Sequence, residues 1–150
     1  AKKYNINYIV MDQKFFKNKE CFEENIIDVL NDHLIEGIVM AGWMKIVSNK
    51  LINSFQGKLI NIHPSILPSF KGKDAIDQAI SSKVFISGCT VHYVTEEVDS
   101  GDIIIQSAVP INPIMPKAEI HKIIQQQEHK ILPIAVSIAG KKWRELNTRY

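Results

Sequence analysis

Apolar positions recur along this chain with two different periods. Between Lys19 and Leu34, residues Phe22, Ile26, Val29, Leu30 and Leu34 fall on helical spacing, which predicts a helix. Ile6 to Met11 before it reads as a short strand. Ile35 to Ala41 after it is a nearly unbroken apolar run, of the kind covered on both faces in a parallel sheet. Gly42 ends that run, Ser48 is placed to cap a short helix through Phe55, and Gly57 breaks the chain before a strand from Leu59 to His63.

Pro64 to Gly72 must then be a loop, because Pro64 and Pro68 lack backbone donors, and a helix is expected over Lys73 to Ser82. Gly88 to Val94 and Asp102 to Val109 alternate as two sequential strands. The polar stretch Thr95 to Gly101 between them is too long for a tight turn, which suggests a functional loop. After the prolines at 110, 113 and 116, Ala118 to Ala139 is largely helical, with a kink or break expected at Pro133. Alternating strands and helices place the chain in the α/β class.

Composition narrows the possible functions. A chain of 150 residues that is 45% hydrophobic suffices for one core, so residues 1–150 are expected to form one domain. The net charge of +2 and scattered lysines argue against nucleic acid. No apolar run approaches the roughly 20 residues of a membrane span, and no secretory leader is visible, so a cytoplasmic protein is expected. Cys21 and Cys89 lack metal or redox spacing, and the five histidines lack short ligand spacing, so neither a disulfide nor a metal is expected.

Candidate chemistry gathers at the end of the strand Leu59–His63. Strand alternation points Asn61 and His63 to one face, where an amide donor and an imidazole could hold an oxyanion and move a proton. Asp99, in the polar loop, is the candidate carboxylate to orient His63. A strand-end Asn is also an ordinary loop cap, and a single His is often a packed one. His92, between Thr90 and Val94, reads as a packed or supporting histidine.

The segments AGWMKIV (41–47), GKLINIHPSILPSFKG (57–72), GCTVHYVTEEVDSGDIIIQ (88–106) and QEH (127–129) together resemble the folate-dependent formyltransferases, in particular the branch that formylates glycinamide ribonucleotide in purine synthesis. The resemblance implies a Rossmann-like, mostly parallel sheet with flanking helices. It implies formyl transfer from the co-substrate 10-formyltetrahydrofolate to the amine of glycinamide ribonucleotide, with no metal. Asn61, His63 and Asp99 would be catalytic. Lys19, Met44, Lys45, Ile46, Val47, Asn61 and Thr95 would contact the folate, with Lys where relatives often carry Arg at 19 and 45. Gln125 and Glu128, three apart on one helix, would contact the ribonucleotide. Hydrolases of this fold usually have His where Pro64 stands, and relatives acting on methionyl-tRNA or sugar amines carry large added domains.

Two departures qualify the resemblance. Ile76 stands where relatives often have His. The family's opening strand and GNGSNL-like turn, whose amides cradle a phosphate at a helix start, have no counterpart. An amino-terminally truncated fold is therefore expected, with the strand near Ile35–Ala41 left as an open edge that a second copy, an exchanged element or a companion segment would cover. A folate-binding remnant with impaired catalysis is the alternative reading.

Overall fold

The computed structural model describes residues 1–147. The chain divides into two compact units, Ala1–Ile35 and Glu36–Tyr150. In the first, two single turns of 3₁₀ helix, Lys2–Tyr4 and Gln13–Phe15, precede α1, Lys19–Asp32. Asn18 caps α1 by accepting from the Cys21 amide at 2.8 Å, and the rings of Phe16 and Phe22 meet edge to face at 5.3 Å.

Two expectations fail in this unit. Ile6 to Met11 is irregular rather than a strand, with Ile6, Tyr8, Ile9 and Val10 exposed. A strand exists only through a ladder partner, and among the described residues this run has none. Leu34 does not extend the helical stripe either. The helix ends at Asp32, and Leu34 takes a left-handed conformation (φ 53°) while its amide bonds to the Asn31 carbonyl and that of Ile35 to the Leu30 carbonyl. That pair of bonds is a Schellman ending, which turns Leu34 outward. The residues that α1 buries are Phe22, Glu23 and Ile27.

The second unit carries the sheet. Its elements are β1 (Ile38–Met40), α2 (Asn49–Ser54), β2 (Leu59–His63), α3 (Ala75–Ser81), β3 (Ile86–Tyr93), β4 (Ile103–Pro110) and α4 (Lys117–Asn147). The strands lie in the order β1-β2-β3-β4; β1 pairs parallel to β2, whereas β2–β3 and β3–β4 are antiparallel. The sheet expected to be mostly parallel is thus mixed among the described strands. A helix crosses over between β1 and β2, as parallel pairing demands, while β3 reaches β4 through a connection too short for a crossover. β1 is shorter than the run that predicted it and forms one edge of the sheet, with Val39 exposed, so it is not covered on both faces.

α4 packs on the sheet through Ile120, Ile124, Ile131, Ala135, Ala139 and Trp143, which share a core with Ile60, Cys89, Val91 and Val109. It continues through Pro133 instead of breaking there. Pro133 is exposed, so the carbonyl deprived of its intrahelical donor can be met by water. Beyond it the helix is held by Trp143, whose Nε1 donates to the Gly57 carbonyl at 2.8 Å. As expected, Ser48 caps α2, accepting from the Leu51 amide at 3.3 Å. That turn leads into the buried Leu59 and Ile60, and so fixes where β2 delivers its last residues.

Candidate active site

Asn61 and His63 project from one face of β2, and the antiparallel register sets His92 opposite Asn61 and Thr90 opposite His63. A register irregularity in the β3–β4 pairing falls between Val91 and His92, the kind of local kink that re-aims a side chain. The connection from β3 to β4 then brings Asp99 back over this face in a left-handed conformation (φ 49°).

The result is a carboxylate between two imidazoles. Asp99 Oδ2 lies 3.2 Å from His63 Nδ1, and Oδ1 lies 3.5 Å from His92 Nε2. Both are ion-pair contacts, and His92 Nε2 has no well-formed hydrogen bond. Each histidine turns its other nitrogen to a backbone carbonyl at 2.8 Å, His63 Nε2 to Phe70 and His92 Nδ1 to Tyr93. Carbonyls and carboxylates only accept, so a doubly protonated His63 is the form that satisfies both of its neighbours.

Burial alone would push the Asp99 carboxyl above the ordinary carboxylate value. Contact with His92, the Gly72 amide donating to Oδ2 at 2.8 Å, and the charges of His63 and His92 outweigh burial and hold it below 3.8. Gly72 supplies that amide from a backbone at φ +76°, a conformation glycine adopts without strain. Lys71 ties the same two loops together, donating to Ser100 Oγ and lying 3.6 Å from the Glu97 carboxylate.

The structure therefore brings His63 and Asp99 together, with Asn61 beside them, half-buried on the same face of β2. Thr95 is exposed at the start of the Asp99 loop, its hydroxyl donating to the Glu97 carbonyl at 3.1 Å. Met44, Lys45, Ile46 and Val47 follow β1 in irregular backbone. Met44 and Ile46 are 85% and 68% exposed, so they do not serve as core, which an ordinary strand-to-helix turn would make of them. Gln125 is exposed on α4, whereas Glu128 is half-buried. Burial raises the Glu128 carboxyl, against the opposing charges of His121, His129 and His63, so Glu128 is within electrostatic reach of His63. Burial, helped by Glu128, pushes the Cys89 thiol up to about 12, which makes it inert as a nucleophile. Lys19 lies in the first unit, its ammonium 3.7 Å from Glu23. Among the described residues no group of three or more His, Cys, Asp or Glu side chains is arranged to hold a metal ion, and no helix is long and apolar enough to cross a membrane.

Sequence reasoning did not single out Gly72, Phe70 or Lys71. The first two act through backbone groups, which leave no side-chain signal. Gly101 supports the cluster less directly: an added Cβ there would run into the Tyr93 carbonyl, the acceptor of His92 Nδ1. Gly101→Ala is expected to destabilise the fold by about 1–3 kcal/mol, as overpacking against backbone typically does. A urea midpoint equal to that of the unsubstituted chain would contradict this.

Comparison with known proteins matches residues 1–136 to the family model described as formyl transferase. The phosphoribosylglycinamide formyltransferase of Bacillus subtilis (strain 168) is 40% identical over 136 residues, spanning 91% of this chain and 70% of that protein. The human trifunctional purine biosynthetic protein adenosine-3 is 41% identical over 131 residues, 87% of this chain but only 13% of that much longer protein. Among solved structures, the phosphoribosylglycinamide formyltransferase from Bacillus halodurans superposes with a TM-score of 0.84 at 37% identity, covering 90% of this chain and 70% of that one. Glycinamide ribonucleotide transformylase 1 from Geobacillus kaustophilus gives 0.85 at 40% identity, covering 91% and 72%.

Proposed function

Because this chain belongs to the formyl transferase family, we propose that it moves the formyl group of 10-formyltetrahydrofolate to the primary amine of glycinamide ribonucleotide, as a cytoplasmic step of purine synthesis. The observation that supports this reading best is the His63–Asp99 pair, 3.2 Å apart, with Asn61 on the same strand face. In this reaction the amine attacks the formyl carbon, a C–N bond forms, and negative charge develops on the formyl oxygen. Asn61 donates an amide N–H to that oxygen, a contribution worth about 3–4 kcal/mol when preorganised.

His63 stabilises the same charge as an imidazolium. As the bond to the folate nitrogen breaks, it delivers a proton there and recovers one from the attacking amine, so no net proton is consumed. Asp99 holds the ring and balances its charge. In the resting arrangement Nε2 donates to the Phe70 carbonyl, so the substrate must replace that carbonyl as acceptor. Met44, Lys45, Ile46, Val47 and Thr95 supply the folate slot, where exposed apolar side chains suit a pterin face. Gln125 and Glu128, three apart on α4, contact the ribonucleotide.

Calorimetric titration of the full chain with a folate analogue, followed by assays of formyl transfer and of formate release, tests this reading. Formylated glycinamide ribonucleotide is the expected product. Formate release in its place would make the chain a hydrolase, and analogue binding without either product would leave it a folate-binding remnant.

A further inference from the structure

We propose that Thr90 is a positioning residue for His63, acting through the loop that follows β2. The catalytic consequence rests on the formyl-transfer reading above, whereas the geometry does not. Thr90 is fully buried and stands opposite His63 in the β2–β3 register. A hydroxyl has one proton to donate and two lone pairs to accept with, and here all three are used. Thr90 Oγ1 donates to the Ser65 carbonyl at 2.7 Å and accepts from the Leu67 amide at 3.1 Å and from Gln106 Nε2 at 2.9 Å.

The loop is pinned at further points. Gln106 Nε2 also donates to the Leu67 carbonyl at 2.9 Å, and the buried Ser65 hydroxyl donates to the Ser69 carbonyl. One residue later the Phe70 carbonyl meets His63 Nε2, and two residues beyond that the Gly72 amide meets Asp99. A continuous set of hydrogen bonds thus runs from the buried Thr90 hydroxyl, along the loop, to the ring of His63 and its carboxylate partner. A misplacement of about 1 Å at a reacting group can cost up to about 100-fold in rate, so an anchor this close to the ring bears on chemistry as well as on stability.

Thr90→Val keeps the shape and removes the three bonds made by Thr90 Oγ1, while Thr90→Ser keeps the hydroxyl. The expected result for Thr90→Val is a fall in kcat of about 10-fold or more with KM values within about 3-fold. Shifted His63 ring ¹⁵N signals and faster solvent exchange of the Nε2 proton should accompany it, and Thr90→Ser should recover both kcat and the ring signals. A folded Thr90→Val with unchanged ring signals, or a Thr90→Ser as impaired as the valine variant, overturns the proposal. Should Thr90→Val fail to fold, Gln106→Met removes from an edge strand one bond to the loop, at the Leu67 carbonyl, and one to the Thr90 hydroxyl; moved His63 signals then support the anchor and unmoved ones overturn it. If the unsubstituted chain forms no product but Thr90→Val still perturbs the ring, the positioning role stands and the assigned reaction falls.

Discussion

Replacing His63 with Ala is expected to lower kcat for formyl transfer by about 10²- to 10⁴-fold, the range a positioned general acid contributes. Affinity for a folate analogue should change much less, because the slot assigned to the pterin lies after β1 rather than on the imidazole. The reason for so large an effect is that none of the three polar side chains beside it can take over. Asp99 is a carboxylate held below its ordinary value and is a poor acid at neutral pH. His92 is 2% exposed, with Nδ1 committed to the Tyr93 carbonyl, and has no route to a substrate. Asn61 can donate a hydrogen bond but cannot release a proton. His63→Asn sharpens the test, since its amide can still donate a hydrogen bond; it should restore little kcat if proton delivery is the role and much of it if oxyanion contact alone matters. A His63→Ala variant retaining kcat within about 3-fold of the unsubstituted chain would remove the imidazole from the mechanism.

The parts of this site that were legible in the sequence are those where a local rule and the tertiary outcome agree. Leu59 to His63 is a short apolar run bounded by Gly57 and Pro64, and alternation alone set Asn61 and His63 on one face. Ser48 announced α2 in the same way, because a cap is a local hydrogen bond. Ile6 to Met11 carried an equally good strand pattern and is not a strand, since pairing depends on a neighbour that the pattern itself does not contain. α4 outran its predicted end at Ala139 because the Trp143–Gly57 contact bridges positions far apart in sequence, which no helical period encodes. The antiparallel pairing of β3 with β4 was legible in principle, as their connection carries no crossover helix. Pairing Asp99 with His63 was a chemical inference, and the backbone partners of both, Phe70 and Gly72, could come only from coordinates.

The second large effect is expected at Asp99. An acid that orients a catalytic imidazole is worth up to about 10⁴-fold in kcat, so Asp99→Asn should cost activity on a scale approaching the loss of His63 itself. The substitution keeps the size of the side chain, and its amide oxygen can still accept from the Gly72 amide, so the loop need not open. What disappears is the negative charge between two imidazoles, and with it the charged partner that holds the His63 ring against the Phe70 carbonyl. Stability should show the same charge. Because the folded-state pKa of Asp99 lies below the ordinary 3.8, its ionised contacts stabilise the fold fully above that value and lose their contribution as the pH falls through the lower folded-state value. Urea midpoints of the unsubstituted chain should therefore exceed those of Asp99→Asn by a constant margin at neutral pH, and the two curves should converge in acid below 3.8. A margin that persists unchanged into acid would mean that shape and hydrogen bonding, rather than charge, hold Asp99 in place, and a variant with full kcat would show that His63 needs no carboxylate.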